Sequence, residues 1–126
     1  MIALAGNVLD AIRRHGAEAY PEECCGALLG SLDSGNARVD LAERLDNSRE
    51  GDRRRRYVVS PQEYLRAERL ASEAGLALVG FYHSHPDHPA VPSEYDREHA
   101  LPVFHYVVIA VAAGTPGEAS AWILSP

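Results

Sequence analysis

A chain of 126 residues, 46% hydrophobic and 24% charged, has the balance of a folded globular unit and room for one domain, spanning 1–126; disorder and fibrous repeats are excluded. The formal net charge of −6 disfavours nucleic acid and anionic membrane surfaces as partners, since both reward a basic face. No run approaches the roughly 18 apolar residues of a spanning helix, the N-terminus lacks the pattern of a cleaved leader, and Cys24 and Cys25 are neighbours that a disulfide would strain, so a cytoplasmic protein without structural disulfides is expected.

In chain order, a short apolar start at Ile2 to Leu4 precedes a helix with Val8, Leu9, Ile12 and Ala19 on one side, ended by Pro21. The apolar run from Cys24 to Leu29, the turn signal at 33–36 and the alternating stretch 37–41 read as two strands joined by a turn. Residues 46–56 carry no apolar side chain and end in Arg53 to Arg56, which reads as a solvated loop. A short strand is expected at 57–60. Ser60, Pro61 and Glu63 then supply an N-cap, a first-turn proline and a capping-box partner for a helix to about Ala74, with Tyr64, Ala67, Ala71 and Ala74 inward and Gly75 as its stop. The continuous apolar run 76–83 suits a central strand buried on both faces. Ser93 opens a short helix to about Ala100, and two more strands follow at 104–112 and 118–124, separated by a turn at 114–117. The sum is an α/β fold, a mixed sheet with about three helices.

The chemistry concentrates at the end of the central strand, in "FYHSHPDHPAVPSEYD" (81–96). His83 and His85 project from one face of an extended segment, because strand side chains alternate, so both can grip one ion. Imidazole suits zinc, a catalytic zinc usually has three protein ligands and an open position, and Asp96 is the third candidate. The stretch Ser93 to Asp96 is also a helix-capping pattern that needs no metal, and the two uses are compatible. Pro86, Pro89 and Pro92 stiffen the loop between them. His88 allows a rival set of three histidines with Asp96 left as a cap; the stiff loop is expected to aim it outward.

The spacing His83-x-His85, seven residues, then Ser93-x-x-Asp96, with Pro86, Ala90 and Pro92, resembles the JAMM (MPN+) zinc metalloprotease motif. "PEECCGALLG" (21–30) resembles the upstream segment of the bacterial form, Pro-x-Glu-x-Cys-Gly, which selects Glu23 over Glu22 as the catalytic glutamate. The resemblance implies a curved sheet of cytidine-deaminase-like architecture and one zinc per chain, held by His83, His85 and Asp96. It further implies a water made acidic by the metal, Glu23 as proton carrier and Ser93 as an oxyanion donor. Family members of this short bacterial type act on the Gly-Gly tails of ubiquitin-like and sulfur-carrier proteins. The expected activity is therefore hydrolysis of the peptide or isopeptide bond after such a tail.

Cys25 is expected as a small buried strand residue, Cys24 is left open, and neither has an activating histidine that sequence can place. His15, His99 and His105 are expected to be structural or exposed, and Trp122 a packing residue. The alternatives are a non-catalytic MPN scaffold, a RadC-like protein, and a phage-tail or cell-wall peptidase with the same metal site. A homodimer is left open.

Overall fold

The computed structural model describes residues 1–49, 51, 53 and 57–123. The elements are β1 (Ile2–Leu4), α1 (Gly6–Ala19), β2 (Cys25–Asp33), β3 (Asn36–Leu45), α2 (Pro61–Glu73), β4 (Ala77–Pro86), α3 (Glu94–His99), β5 (His105–Ala112) and β6 (Thr115–Ile123). The six strands form one mixed sheet in the order β1-β3-β2-β4-β5-β6, with β1–β3 and β4–β5 parallel and the other pairs antiparallel. None of the described helices is long and apolar enough to cross a membrane.

The central strands are buried on both faces, and the two faces carry separate cores. Val8 and Ile12 of α1 pack on Cys24, Leu28, Val39 and Tyr82, whereas Ala67 and Ala71 of α2 pack on Cys25, Ala27, Leu29 and Phe81. Alternation along the strands explains the sorting: consecutive residues such as Cys24 and Cys25, or Phe81 and Tyr82, go to opposite cores. Ile12 is fully buried, a burial worth about 2 kcal/mol relative to exposure. Gly26 pairs with Tyr82, and a Cβ built on it would lie 2.0 Å from the Tyr82 ring. The Cys-Gly step in the upstream segment is therefore the space over which that ring lies, and the Tyr82 hydroxyl reaches His15 Nδ1 at 2.6 Å.

Four boundaries differ from the sequence reading. Residues 57–60 form no strand: Val58 gives its N–H to Asn47 Oδ1 and its carbonyl to the Ser48 N–H, so its backbone is satisfied by the preceding loop rather than by a ladder. Strand β3 continues to Leu45 because β2 pairs with it along its whole length. Strand β4 passes through both histidines to Pro86, carried by parallel pairing of His83 with Val108 and His85 with Ala110. The last turn is tighter, at Ala113 and Gly114, both with positive φ, so Pro116 and Gly117 lie within β6, an edge strand where a proline is tolerated.

At α2, Ser60 caps as expected by accepting from the Glu63 N–H at 3.1 Å. The expected reciprocal half of the box is replaced. The Glu63 carboxylate accepts from the Asp46 N–H and from Arg66, which ties the helix start to the end of β3. Arg54 to Arg56 and Leu124 lie outside the described residues.

Candidate active site

The site forms where the C-terminal end of β4 meets the start of α3. His83 and His85 follow Phe81 on the α2 face of the sheet, and Ser84 follows Tyr82 on the other. Ser93 caps α3, its Oγ accepting from the Asp96 N–H at 3.0 Å while Asp96 Oδ2 accepts from the Ser93 N–H at 2.9 Å, a complete capping box. The same oxygen, Asp96 Oδ2, stands 3.1 Å from His83 Nε2 and 3.1 Å from His85 Nε2, and those two nitrogens are 3.1 Å apart. Capping and convergence are thus one arrangement: the box aims the carboxylate at the histidines.

Three donor atoms at the corners of a triangle of this size fit a metal ion. With metal–nitrogen distances of about 2.0–2.1 Å, adjacent ligands of a tetrahedron lie about 3.3–3.4 Å apart, close to the spacing seen. The donor chemistry agrees. His85 Nδ1 faces the Pro89 carbonyl at 2.9 Å and must donate to it, so when the ring gives up its other proton it is Nε2 that offers a lone pair to the cluster. Burial holds the His83 imidazole toward its neutral form. Burial works against the charge of Asp96 too, yet hydrogen bonds from His83 and His85 prevail and hold its carboxyl well below the usual range, as an anion. For His85, burial pulls the imidazole down while Asp96 and the Pro89 carbonyl pull it up and outweigh it. The Tyr57 ring stacks on His83 with centroids 4.5 Å apart and covers it. His83, His85 and Asp96 are thus a group able to hold a metal ion. His88 is outside that group and exposed.

Glu23 reaches the same place from β2. The antiparallel register that pairs Cys25 with His83 sets Cys24 opposite Ser84 and Glu23 opposite His85 just beyond the strand end. Two hydrogen bonds secure it: the Cys24 N–H donates to Ser84 Oγ at 2.9 Å and the Ser84 N–H donates to the Cys24 carbonyl at 3.2 Å. Glu23 is 5% exposed, whereas Glu22, one step along, is in solvent. Glu23, His85, His88, Val91 and Ser93 line one groove of about 450 Å³. Asp96 also lines an aromatic pocket of about 220 Å³ together with Tyr57, Tyr64, Phe81 and Tyr106. The structure therefore brings together all five residues singled out in the sequence, His83, His85 and Asp96 as a cluster and Glu23 and Ser93 on a groove shared with His85.

Sequence reading missed Asn47. Its Nδ2 donates to the Glu23 carbonyl at 3.0 Å, and its Oδ1 accepts from the Arg49 N–H at 3.0 Å and the Val58 N–H at 3.1 Å. The Glu23 N–H donates to the Arg53 carbonyl at 2.7 Å, so the loop taken as merely solvated grips the Glu23 backbone from both sides. The same amide fixes Val58, beside the Tyr57 that covers His83. The only signal was an asparagine at the start of a polar run, which is ordinary for a turn. Asn47→Ala should leave the Glu23 carbonyl and the Val58 N–H without their partner. We expect bound metal to stay at wild-type level while turnover falls about 10-fold or more, since displacing a reacting group by about 1 Å can cost 100-fold. Metal analysis beside steady-state kinetics checks this, and equal turnover would remove Asn47 from the account.

The remaining candidates have plain structural roles. Cys25 is fully buried and Cys24 is 3% exposed; burial pushes the Cys24 thiol up to about 11 and the Cys25 thiol further still, the opposite of an activated nucleophile. His15 is bonded to Tyr82, and burial lowers it to about 4, so it is neutral. His105 is buried, His99 is exposed and donates to the Tyr95 carbonyl, and Trp122 stacks on Tyr106 at 4.7 Å.

A mixed sheet whose central strand ends in His-x-His, facing the aspartate of a capped helix and a glutamate from the segment that leads into the neighbouring strand, defines a JAB/MPN-type domain. The chain belongs to the prokaryotic homologs of the JAB domain, a family whose description matches residues 6–124, and is a hydrolase of the JAMM type. It is similar to a desampylase of Haloferax volcanii, 35% identical over 112 residues that make up 85% of this chain and 78% of that protein. It is also similar to a probable TtuB-protein conjugate cleaving protease of Thermus thermophilus, 38% identical over 61 residues, 48% of this chain and 38% of that protein. Among solved structures, a protein from Salinibacter ruber is 48% identical with a TM-score of 0.76, the match covering 98% of this chain and 82% of that one.

Proposed function

We propose that the protein is a zinc-dependent isopeptidase or peptidase that hydrolyses the amide bond after the C-terminal Gly-Gly tail of a ubiquitin-like or sulfur-carrier protein. The observation that carries this reading is the placing of Glu23 and Ser93 on the groove that His85 shares, at the edge of a cluster of two imidazoles and a carboxylate. His83, His85 and Asp96 would hold the zinc. When bound, zinc supplies Lewis acidity and brings the pKa of a coordinated water to about 7.

The other parts of the reaction fall to the chain's own side chains. Glu23 takes a proton from the attacking water on a carboxylate oxygen and passes it to the leaving amine, so no covalent link to the protein is needed. Ser93 Oγ already accepts from the Asp96 N–H, which leaves its own O–H to donate to the oxyanion that forms at the scissile carbonyl. A Gly-Gly tail would bring bare backbone, with no side chain in the way, to the groove that Glu23 and Ser93 line. The names of the two relatives, a desampylase and a conjugate cleaving protease, support that substrate class. The reading carries with it one zinc per chain and a cytoplasmic setting.

The test is to incubate the zinc-loaded protein with sulfur-carrier or ubiquitin-like proteins extended beyond Gly-Gly by a peptide or joined there to a lysine side chain, and to weigh the products. Cleavage after the second glycine is expected. Intact substrates across several carriers, with zinc bound, would overturn the substrate class.

A further inference from the structure

The stiffness of the 86–92 loop is only partly proline. Asp87, between Pro86 and His88, sits in the left-handed region with φ of 58°, a conformation that aspartate tolerates better than most side chains. Its backbone N–H donates to the Val111 carbonyl at 2.8 Å, Oδ1 accepts from the Ala113 N–H at 2.7 Å, and Oδ2 accepts from the Tyr20 hydroxyl at 2.6 Å. Three separate segments therefore meet on one exposed residue: the end of β5, the β5–β6 turn, and the C-cap of α1. Further along, Ser120 Oγ of β6 donates to the Ala90 carbonyl, and the Pro89 carbonyl accepts from both the Val91 N–H and His85 Nδ1.

The direction of these bonds matters. The Pro89 carbonyl is what fixes the His85 tautomer and turns Nε2 toward His83 and Asp96, and it is held at one end by Asp87 and at the other by Ala90. Tyr20 stands just before the Pro21–Glu22–Glu23 segment, so the bond from its hydroxyl ties the chain that delivers Glu23 to the loop that orients His85. We propose that Asp87 is a positioning residue for the metal centre: by binding Ala113, Val111 and Tyr20 together it sets the Pro89 carbonyl, and through it the aim of His85 and its spacing from Glu23. This rests on the reading of His85 as a metal ligand.

Asp87→Gly is the discriminating variant, because glycine accepts the positive φ without strain and removes only the two carboxylate ties. Zinc affinity, read by competition with a chromogenic chelator, should weaken about 10-fold or more, the usual scale for a group that orients a ligand, with the circular dichroism of the metal-free protein unchanged. Asp87→Asn tolerates the same backbone and can still accept from the Ala113 N–H, so it should stay within about 3-fold of wild type. An Asp87→Gly protein that binds zinc as tightly as wild type overturns the proposal, even if its melting temperature drops, since that is what a purely structural tie would do. Should Asp87→Gly fail to fold, Tyr20→Phe removes one tie from outside the loop; weaker zinc binding is expected and wild-type binding overturns the proposal. A wild-type chain that takes up no zinc would overturn the reading of the cluster as a metal centre, and this inference with it, whereas tight zinc binding by both wild type and Asp87→Gly would overturn this inference alone.

Discussion

Glu23→Gln should leave a folded protein that binds zinc like wild type and cleaves its substrate at least 100-fold, and up to about 10,000-fold, more slowly. The substitution is nearly isosteric, and both backbone ties of Glu23, to Asn47 Nδ2 and to the Arg53 carbonyl, are untouched by it. Cys24 and Ser84 would still lock β2 to β4 beside it. What changes is the capacity to take a proton: an amide is not a base near neutral pH, and no other carboxylate shares the groove with His85 and Ser93 among the described residues lining it. Glu22 cannot substitute, because alternation turns it to solvent, and Glu22→Gln should be silent. Zinc content by atomic absorption beside turnover on a Gly-Gly conjugate separates the outcomes. Full activity of Glu23→Gln would remove it as the proton carrier, while loss of zinc in that variant would recast it as a ligand.

The local signals that sequence carries were strong where one residue type has one physical job. Alternation placed His83 and His85 on a common face, a serine with an acidic residue three on marked the start of α3, and a proline after a serine marked that of α2. The continuous apolar run before the histidines identified a strand buried on both faces, and its neighbours in the sheet bear that out. What sequence could not carry is the destination of hydrogen bonds that cross the chain. Residues 57–60 have the composition of a strand, yet their backbone partners are Asn47 and Ser48, and nothing in "YVVS" says so. Glu63 stands at the capping-box position, but the Asp46 N–H and Arg66 compete for its carboxylate and win. The polar run from Asp46 read as solvent-facing because polarity is the only local cue. Its function, holding the Glu23 backbone, depends on a register between β2 and β4 that brings position 23 beside position 85. Asp87 was passed over for the same reason: its partners lie at positions 20 and 113.

Asp96→Asn should abolish useful zinc binding, and it decides between the two donor sets that the sequence left open. Asp96 Oδ2 is the one anionic atom in the triangle, 3.1 Å from each imidazole nitrogen, and it accepts from the Ser93 N–H besides. Asparagine keeps the shape, and its oxygen can still accept from Ser93, so helix α3 should remain capped and the metal-free protein should melt within a few degrees of wild type. The charge is gone, however, and two neutral imidazoles alone hold zinc weakly. Losing a group that merely orients a ligand costs about 10- to 100-fold in affinity, so losing the anionic ligand should cost more than 100-fold. Thermal melting reads this directly. Zinc at about 1,000 times its dissociation constant should stabilise the wild type by about 4 kcal/mol, and the same concentration should stabilise Asp96→Asn by at most about 1.4 kcal/mol, because mass action follows the ratio of ligand to dissociation constant. If His83, His85 and His88 formed the site instead, the pattern would invert, with Asp96→Asn keeping the zinc-dependent shift and His88→Ala losing it. The exposed position of His88, outside the cluster that Asp96 completes, predicts the first pattern, with His88→Ala melting and binding zinc as wild type does.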